Sequence, residues 1–418
     1  MKFPYTTRIL GTLLMLFSFA QIFPGFLAYF FEEREFVYNF IVTGFVTFLI
    51  GCFLFFLASE KNGDLRTKDG FIITIFFWTV LGFFGSIPFY LAELEGVSYI
   101  DSLFESISGL TTTGATVLVG LDEMPRSLLF YRQLLQWLGG MGIIVLAIAI
   151  LPFLGIGGTQ LFSAEAPGPA SDKLHPRITD TAKRLWLIYL TYTILQTILL
   201  YSAGMTIFDA VNHAMSTIST GGFSTKSESI AFWNDKPLIQ YIIIIFMFLA
   251  GTNFVLSYFA FTRKFQKIFQ DEEFKLYSRF IIFFSLLVII FILLSQNLPS
   301  DSFLNIIEPT IRNAIFQVVS IITTTGFVTY DFTQWAPIVT IIFFGLMFLG
   351  GSSGSTSGGV KIVRHMLMIK TGFLEFKRAL HPNAIIQSRY NNKTVSESIS
   401  FNILGFFILY MLSFIVIK

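Results

Sequence analysis

The residues in this chain best suited to chemistry lie in three short phrases of threonine, serine and glycine. Residues 101–114 end in Thr111-Thr112-Thr113-Gly114, residues 209–222 in Ser219-Thr220-Gly221-Gly222, and residues 313–326 in Thr323-Thr324-Thr325-Gly326. Aligned backwards from the last glycine, the phrases superpose Asp101, Asp209 and Asn313, then Ser108, Ser216 and Ser320, then Thr112, Thr220 and Thr324. No cluster of acids or histidines accompanies them, so they do not read as an enzyme's active site. They offer main-chain oxygen instead. Rings of carbonyls can replace the hydration shell of a cation, and glycine admits backbone angles that a side chain would obstruct. The candidate ion-binding oxygens are those of Thr112, Thr113 and Gly114, of Thr220, Gly221 and Gly222, and of Thr324, Thr325 and Gly326.

Each phrase predicts a half-helix with an Asx N-cap at Asp101, Asp209 or Asn313, of roughly ten residues or about 15 Å. That length crosses half a bilayer. Each lies between two apolar runs, so the repeated unit is membrane helix, re-entrant half-helix, turn, membrane helix. Irregular backbone is tolerated at membrane depth only where it lines water or is buried in protein. A half-helix whose C-terminal end points at the bilayer centre adds a field that favours a cation. Asp101 and Asp209 have a second reading, attraction of cations to an outer mouth. Glu105, His213 and Gln317 share one register of the half-helices and are expected to brace the turns by hydrogen bonds.

A chain of 418 residues that is 54% hydrophobic and 13% charged, with 52 phenylalanines, is an all-α polytopic membrane protein rather than a soluble one. One cysteine, Cys52, excludes an internal disulfide framework and a cysteine metal cluster. The predicted organisation is an N-terminal transmembrane hairpin at 1–60, pore repeats at 70–155, 183–262 and 278–372, and the first helix of an incomplete fourth repeat at 395–418. The spans expected are 9–31 and 37–58, then 71–91 and 130–154, 185–203 and 238–261, 280–296 and an interrupted 337–372, and finally 399–417. The first run continues past Ser18-Phe19-Ala20, which argues against a cleaved signal peptide. Repeat glycines are 108 residues apart (222 minus 114) and then 104 (326 minus 222). A fourth is therefore expected at about 430–434, and the sequence reads as a C-terminally truncated four-repeat protein.

Charge sets the orientation. Of the 28 lysines and arginines, Arg34, Arg126, Arg132, Lys226, Lys236 and Arg312 fall on one side, Lys418 is unassigned, and 21 fall on the other. The positive-inside rule then makes the N-terminus cytoplasmic and places the three turns in the outer half of the membrane. Within the last repeat, Gly350 to Gly359 puts five glycines and four serines where a continuous helix would be cheaper, since an interior glycine costs about 1 kcal/mol relative to alanine. The run predicts a flexible loop near mid-membrane, with a passive kink as the alternative.

Several stretches resemble the Trk/Ktr/HKT potassium transporter superfamily, in particular its TrkH-type membrane subunit. They are Ser108–Thr116, Gln136-Trp-Leu-Gly-Gly-Met-Gly-Ile-Ile144, Ser219–Thr225, the linker Ser163–Pro169 with Lys173–Ile178, and Gly350–Gly359. The resemblance covers essentially the whole chain. It implies a pseudo-fourfold, channel-like pore for potassium, the substrate held at the filter residues, in a homodimer in the bacterial cytoplasmic (inner) membrane. It also implies a cytosolic ring of TrkA-type nucleotide-binding regulatory subunits on a separate chain, with no cofactor and no nucleic acid bound by this one. Loops 262–279 and 361–393 are where such a ring would dock, unless their charge is ordinary positive-inside bias. The resemblance makes the loop containing Gly350, Gly351, Gly354, Gly358 and Gly359 an intramembrane gate. Lys361 and Arg364 would anchor that loop, repel cations from a closed pore, or snorkel to the interface. Glycine at the first filter position goes with potassium rather than sodium in the superfamily. A sodium-selective or sodium-coupled symport remains the alternative, and a polytopic membrane enzyme the alternative of another class.

Overall fold

The computed structural model describes residues 3–58, 67–140, 142, 178–295, 303–381, 387–391, 393–395 and 397–417. Apart from Gly142, the predicted inner helix of the first repeat beyond Gly140 lies outside these residues, as do the linker at 163–169 and the stretch 173–177. The chain folds into two compact units. The first contains α1 (Phe3–Phe30), α2 (Arg34–Leu57), α3 (Thr67–Tyr90), α4 (Tyr99–Leu110), α5 (Arg126–Gly140), α6 (Ile178–Ser202), α7 (Ile207–Ile218), most of α8 (Pro237–Ala250) and residues 325–330. The second contains α9 (Phe254–Phe261), α10 (Phe265–Gln270), α11 (Glu272–Ser295), α12 (Phe303–Ile322), α13 (Pro337–Leu346), α14 (Ile362–Leu380), a hairpin of β1 (Arg389–Tyr390) and β2 (Lys393–Thr394), and α15 (Glu397–Ile417).

Among the described residues, five helices are long and apolar enough to span a membrane: Thr7–Phe30, Arg34–Leu57, Lys183–Ser202, Glu272–Ser295 and Ile399–Ile417. In the first unit, α1 and α2 pack through small residues. A Cβ on Gly11 would lie 2.6 Å from the Gly51 carbonyl, and one on Gly44 would lie 2.4 Å from the Ile22 side chain. Close backbone approach of this kind drives helix association where lipid offers no hydrophobic contrast. Glu33, in the acidic link between the two helices, accepts hydrogen bonds from Arg126 N at 2.7 Å and Ser127 N at 3.1 Å. A carboxylate is favourable there because the first N–H groups of α5 have no intrahelical partner.

Three expectations about helix ends need correction. Asp101 and Asp209 are not N-caps. The caps are Ser98 and Thr206, and each aspartate sits three residues inside its helix. Ser98 and Asp101 form a reciprocal capping box, with Ser98 N donating to the Asp101 carboxylate at 2.9 Å and Asp101 N to Ser98 Oγ at 3.3 Å. Asn313 is not a cap either, because α12 begins at Phe303 and continues through Pro309.

The run 238–261 is not one helix. It breaks between α8 and α9, which are bent by 108°. The cause is local: Asn253 Oδ1 accepts from Val255 N at 2.8 Å and caps α9, while Thr252 Oγ1 returns to the Leu249 carbonyl at 2.6 Å. In the third repeat the interruption runs from Met347, which ends α13, to Lys361, which precedes α14, and is wider than the glycine-serine run.

Candidate ion-conduction site

The half-helices α4 and α7 end in the same way. Thr112 N donates to the Gly109 carbonyl at 3.0 Å and Thr113 N to the Ser108 carbonyl at 2.9 Å; Thr220 N and Gly221 N repeat this on Thr217 and Ser216 at 3.0 and 2.9 Å. This is a Schellman ending, in which the first residue past the cap takes a left-handed conformation. That residue is threonine, with φ of +55° at Thr112, +53° at Thr220 and +55° at Thr324. The closing glycines follow at +77°, +82° and +84° for Gly114, Gly222 and Gly326. Each turn therefore has two left-handed residues. Spacing pointed to the glycines; the threonines were expected to offer main-chain oxygens, and nothing in the sequence marked Thr112, Thr220 and Thr324 as left-handed.

The turns meet one another in the first unit. A Cβ on Gly114 would lie 1.9 Å from the Gly221 carbonyl oxygen, and a Cβ on Gly222 would lie 1.9 Å from the Thr325 carbonyl oxygen. Gly221 and Thr325 hold the same register position, so one contact is repeated from the first turn to the second and from the second to the third. Glycine is obligatory at 114 and 222 because a carbonyl occupies the space of the side chain.

Behind the turns stands a buried polar lattice. Arg132, counted among the outer charges from sequence, is fully buried on α5. Its Nε donates to Glu105 Oε1 at 2.7 Å, its Nη1 to the Ser224 carbonyl at 3.2 Å and its Nη2 to Thr116 Oγ1 at 3.1 Å, and its guanidinium lies 4.2 Å from the centroid of the Phe223 ring. Glu105 also accepts from Thr116 Oγ1 at 3.0 Å and from Val117 N at 3.3 Å. His213, in the same register on α7, lies 2.9 Å from Ser224 Oγ. Thr116 and Ser224 each lie two residues past a closing glycine, so both braces reach the segment that leaves the turn. Ser108 Oγ adds a bond to the Ala115 carbonyl at 2.6 Å.

Two tyrosines absent from the sequence reading fix the inner helices. Tyr189 Oη donates to the Trp137 carbonyl at 2.8 Å, and in the second unit Tyr277 Oη donates to the Phe248 carbonyl at 3.1 Å. Trp137 and Phe248 each lie three residues before a glycine that faces that tyrosine: Cβ atoms on Gly140 and Gly251 would lie 2.8 and 2.5 Å from the two hydroxyls. The sequence held no register signal for them, since Tyr189 lies 33 residues before Gly222 (222 minus 189) and Tyr277 49 before Gly326 (326 minus 277).

In the second unit, the 347–361 segment is a tied loop and not the slack one that its composition predicts. Leu349 and Val360 bridge its base, and Gly350 N donates to the Val360 carbonyl at 2.9 Å. Gly351 N donates to Ser357 Oγ at 2.9 Å, and the Gly354 carbonyl accepts from Phe254 N at 3.1 Å, capping the broken inner helix. Gly354 and Gly359 have φ of +74° and +68°. Gly358 N donates to Thr324 Oγ1 at 2.6 Å, which links the loop to the third turn. The Lys361 ammonium donates to the carbonyls of Ser355, at 3.3 Å, and Ser357. Buried Glu273 holds the other side of the loop, accepting from Ser353 N at 2.6 Å and Val363 N at 3.3 Å. Tyr390 of the small hairpin reaches Glu273 Oε2 at 3.4 Å. Arg364 is turned away from this network, its guanidinium 3.8 Å from the centroid of the Phe406 ring.

Spanning helices interleaved with half-helices, whose turns touch at Gly114 and Gly221 and at Gly222 and Thr325, define an all-α polytopic membrane protein. The chain belongs to the TrkH family of cation transport proteins, whose profile matches residues 37–418. It is 44% identical over 422 residues to the Trk system potassium uptake protein TrkH of Escherichia coli K12, covering 100% of this chain and 85% of that protein. It is 36% identical to TrkG of the same strain, over 97% of this chain and 82% of TrkG. The crystal structure of the potassium transporter TrkH from Vibrio parahaemolyticus superposes with a TM-score of 0.86 at 39% identity, over 100% of this chain and 85% of that one.

Proposed function

We propose that this chain is the membrane subunit of a potassium uptake system, passing potassium ions through a channel-like pore whose filter is built from the glycine-closed turns. The observation that carries the reading is the repeated contact of Gly114 on Gly221 and of Gly222 on Thr325. It brings the turns of successive repeats together, and in this reading their main-chain oxygens face one path and stand in for a cation's hydration shell. The names of the relatives, potassium uptake proteins, supply the ion.

The 347–361 loop is the gate in this reading. It is tied to the third turn at Thr324 and clamped between the Glu273 carboxylate and the Lys361 ammonium. A TrkA-type nucleotide-binding ring on the cytoplasmic side would move it, docking on the basic surface that includes exposed Arg263, Lys264, Lys267, Lys275 and Arg279. The subunit would work as a homodimer in the bacterial inner membrane with its N-terminus in the cytoplasm. Expression in a bacterium stripped of its own potassium uptake should restore growth on low potassium. Restoration that demands sodium in the medium would favour the sodium-coupled alternative, and no restoration despite membrane insertion would count against both.

A further inference from the structure

The three filter turns keep a hydroxyl residue first (Thr111, Ser219, Thr323), a threonine second and a glycine last, and part company at the third position. Between the left-handed threonine and the closing glycine stand Thr113, Gly221 and Thr325. The exception at 221 coincides with a side chain from elsewhere. Gln136, on α5, is fully buried and makes three hydrogen bonds around the second turn. Its Oε1 accepts from Ser216 Oγ at 2.8 Å and from Phe223 N at 3.1 Å, and its Nε2 donates to the Gly221 carbonyl at 2.7 Å. The amide orientation is forced, since a backbone N–H can only donate and a carbonyl can only accept. The two backbone partners flank Gly222, so the amide grips the turn on both sides of its closing glycine.

This grip excludes a side chain at 221. A Cβ there would lie 2.4 Å from Gln136 Cδ, 2.5 Å from Oε1 and 2.7 Å from Nε2. The amide of Gln136 and a threonine at 221 are alternatives for one space. Counting back four residues from the corresponding glycines Gly140, Gly251 and Gly351 gives Gln136, Met247 and Met347. The other two inner helices thus present a thioether at this position, which cannot donate a hydrogen bond.

We propose that Gln136 is a positioning residue for ion selection: it replaces the missing side chain of the second turn and sets the distance of that turn's oxygens from the conduction path. This rests on the potassium-filter reading given above. Sodium and potassium differ in size and not in charge, so discrimination depends on how firmly the oxygens are held at a given radius. A bond to the Gly221 carbonyl both directs that oxygen and limits its movement. Without the amide, the Gly221 oxygen and the buried Phe223 N–H lose a hydrogen-bond partner, and the turn must shift to satisfy them.

The test is the ratio of potassium to sodium permeability in proteoliposomes, measured for the unaltered protein, Gln136→Met, Gln136→Glu, Gly221→Thr, the double variant Gln136→Ala with Gly221→Thr, and Gly222→Ala. Gln136→Met should lower the ratio by about tenfold while total cation flux persists. Gln136→Glu keeps the acceptor and the volume but loses the donor to Gly221, and should lower the ratio in the same direction. Gly221→Thr alone should inactivate, whereas the double variant should recover flux because threonine then fills the space as it does in the other turns. A normal ratio in both Gln136 variants, with flux lost in Gly222→Ala, would overturn the positioning role and leave the filter standing. Normal flux and ratio in Gly222→Ala as well would remove the filter reading itself.

Discussion

Replacing Gly222 by alanine separates backbone strain from steric exclusion. At φ of +82° an L-residue is strained by roughly 1–2 kcal/mol. That strain alone is tolerable, since Thr112, Thr220 and Thr324 hold φ near it with full side chains. The second effect is larger. The new Cβ would lie 1.9 Å from the Thr325 oxygen, and even a close C···O contact needs about 3.3 Å. The second and third turns must therefore separate by about 1.4 Å, the difference between those two distances. Gly114→Ala forces the same separation between the first turn and Gly221. Gly96 supplies the control: its φ is +75°, yet nothing lies within 4 Å of its Cβ position. Rubidium flux into liposomes should fall by more than about tenfold for Gly114→Ala and Gly222→Ala, equivalent to about 1.4 kcal/mol or more. Gly96→Ala should retain flux and lose only a little thermal stability. Equal flux in all three variants would refute the steric argument.

Other consequences concern the supports. Arg132→Met strands the Glu105 carboxylate in a buried site and should destabilise the protein by about 3–5 kcal/mol, read as a fall in melting temperature in detergent; the pair Arg132→Met with Glu105→Gln should recover part of it. Glu273→Gln removes the charge that Ser353 N and Val363 N bind, a loss of about 1.5–3 kcal/mol, and should raise basal potassium leak without any cytosolic partner. Unchanged leak, with the loop still ordered, would mean that the loop does not gate. Tyr277→Phe deletes the bond to the Phe248 carbonyl and should cost about 1 kcal/mol of stability, with ion selectivity unaltered.

The repeat itself was legible in the sequence because three spaced glycines, three serines and three threonines align without any structure. The half-helix caps were legible too, since Ser98 and Thr206 stand three residues before an aspartate, but the aspartates drew attention as the residues shared between copies. The break in the second inner helix had a signal in Gly251-Thr252-Asn253, outweighed by the length of the apolar run around it. What local pattern could not reveal was partnership over long separations. Arg132 meets Glu105 across 27 residues, Gln136 meets Gly221 across 85 and Glu273 meets Ser353 across 80. The loop looked slack because its composition is glycine and serine, and its order comes from groups supplied by α11, α14 and the third turn.

The most direct measurement is anomalous diffraction from crystals of the protein soaked in thallium, a potassium mimic with strong scattering. Discrete ion peaks are expected between the turns, within coordination distance of main-chain oxygens among Thr112–Gly114, Thr220–Gly222 and Thr324–Gly326. Peaks confined to other parts of the molecule, with none between those turns at saturating thallium, would contradict the filter reading.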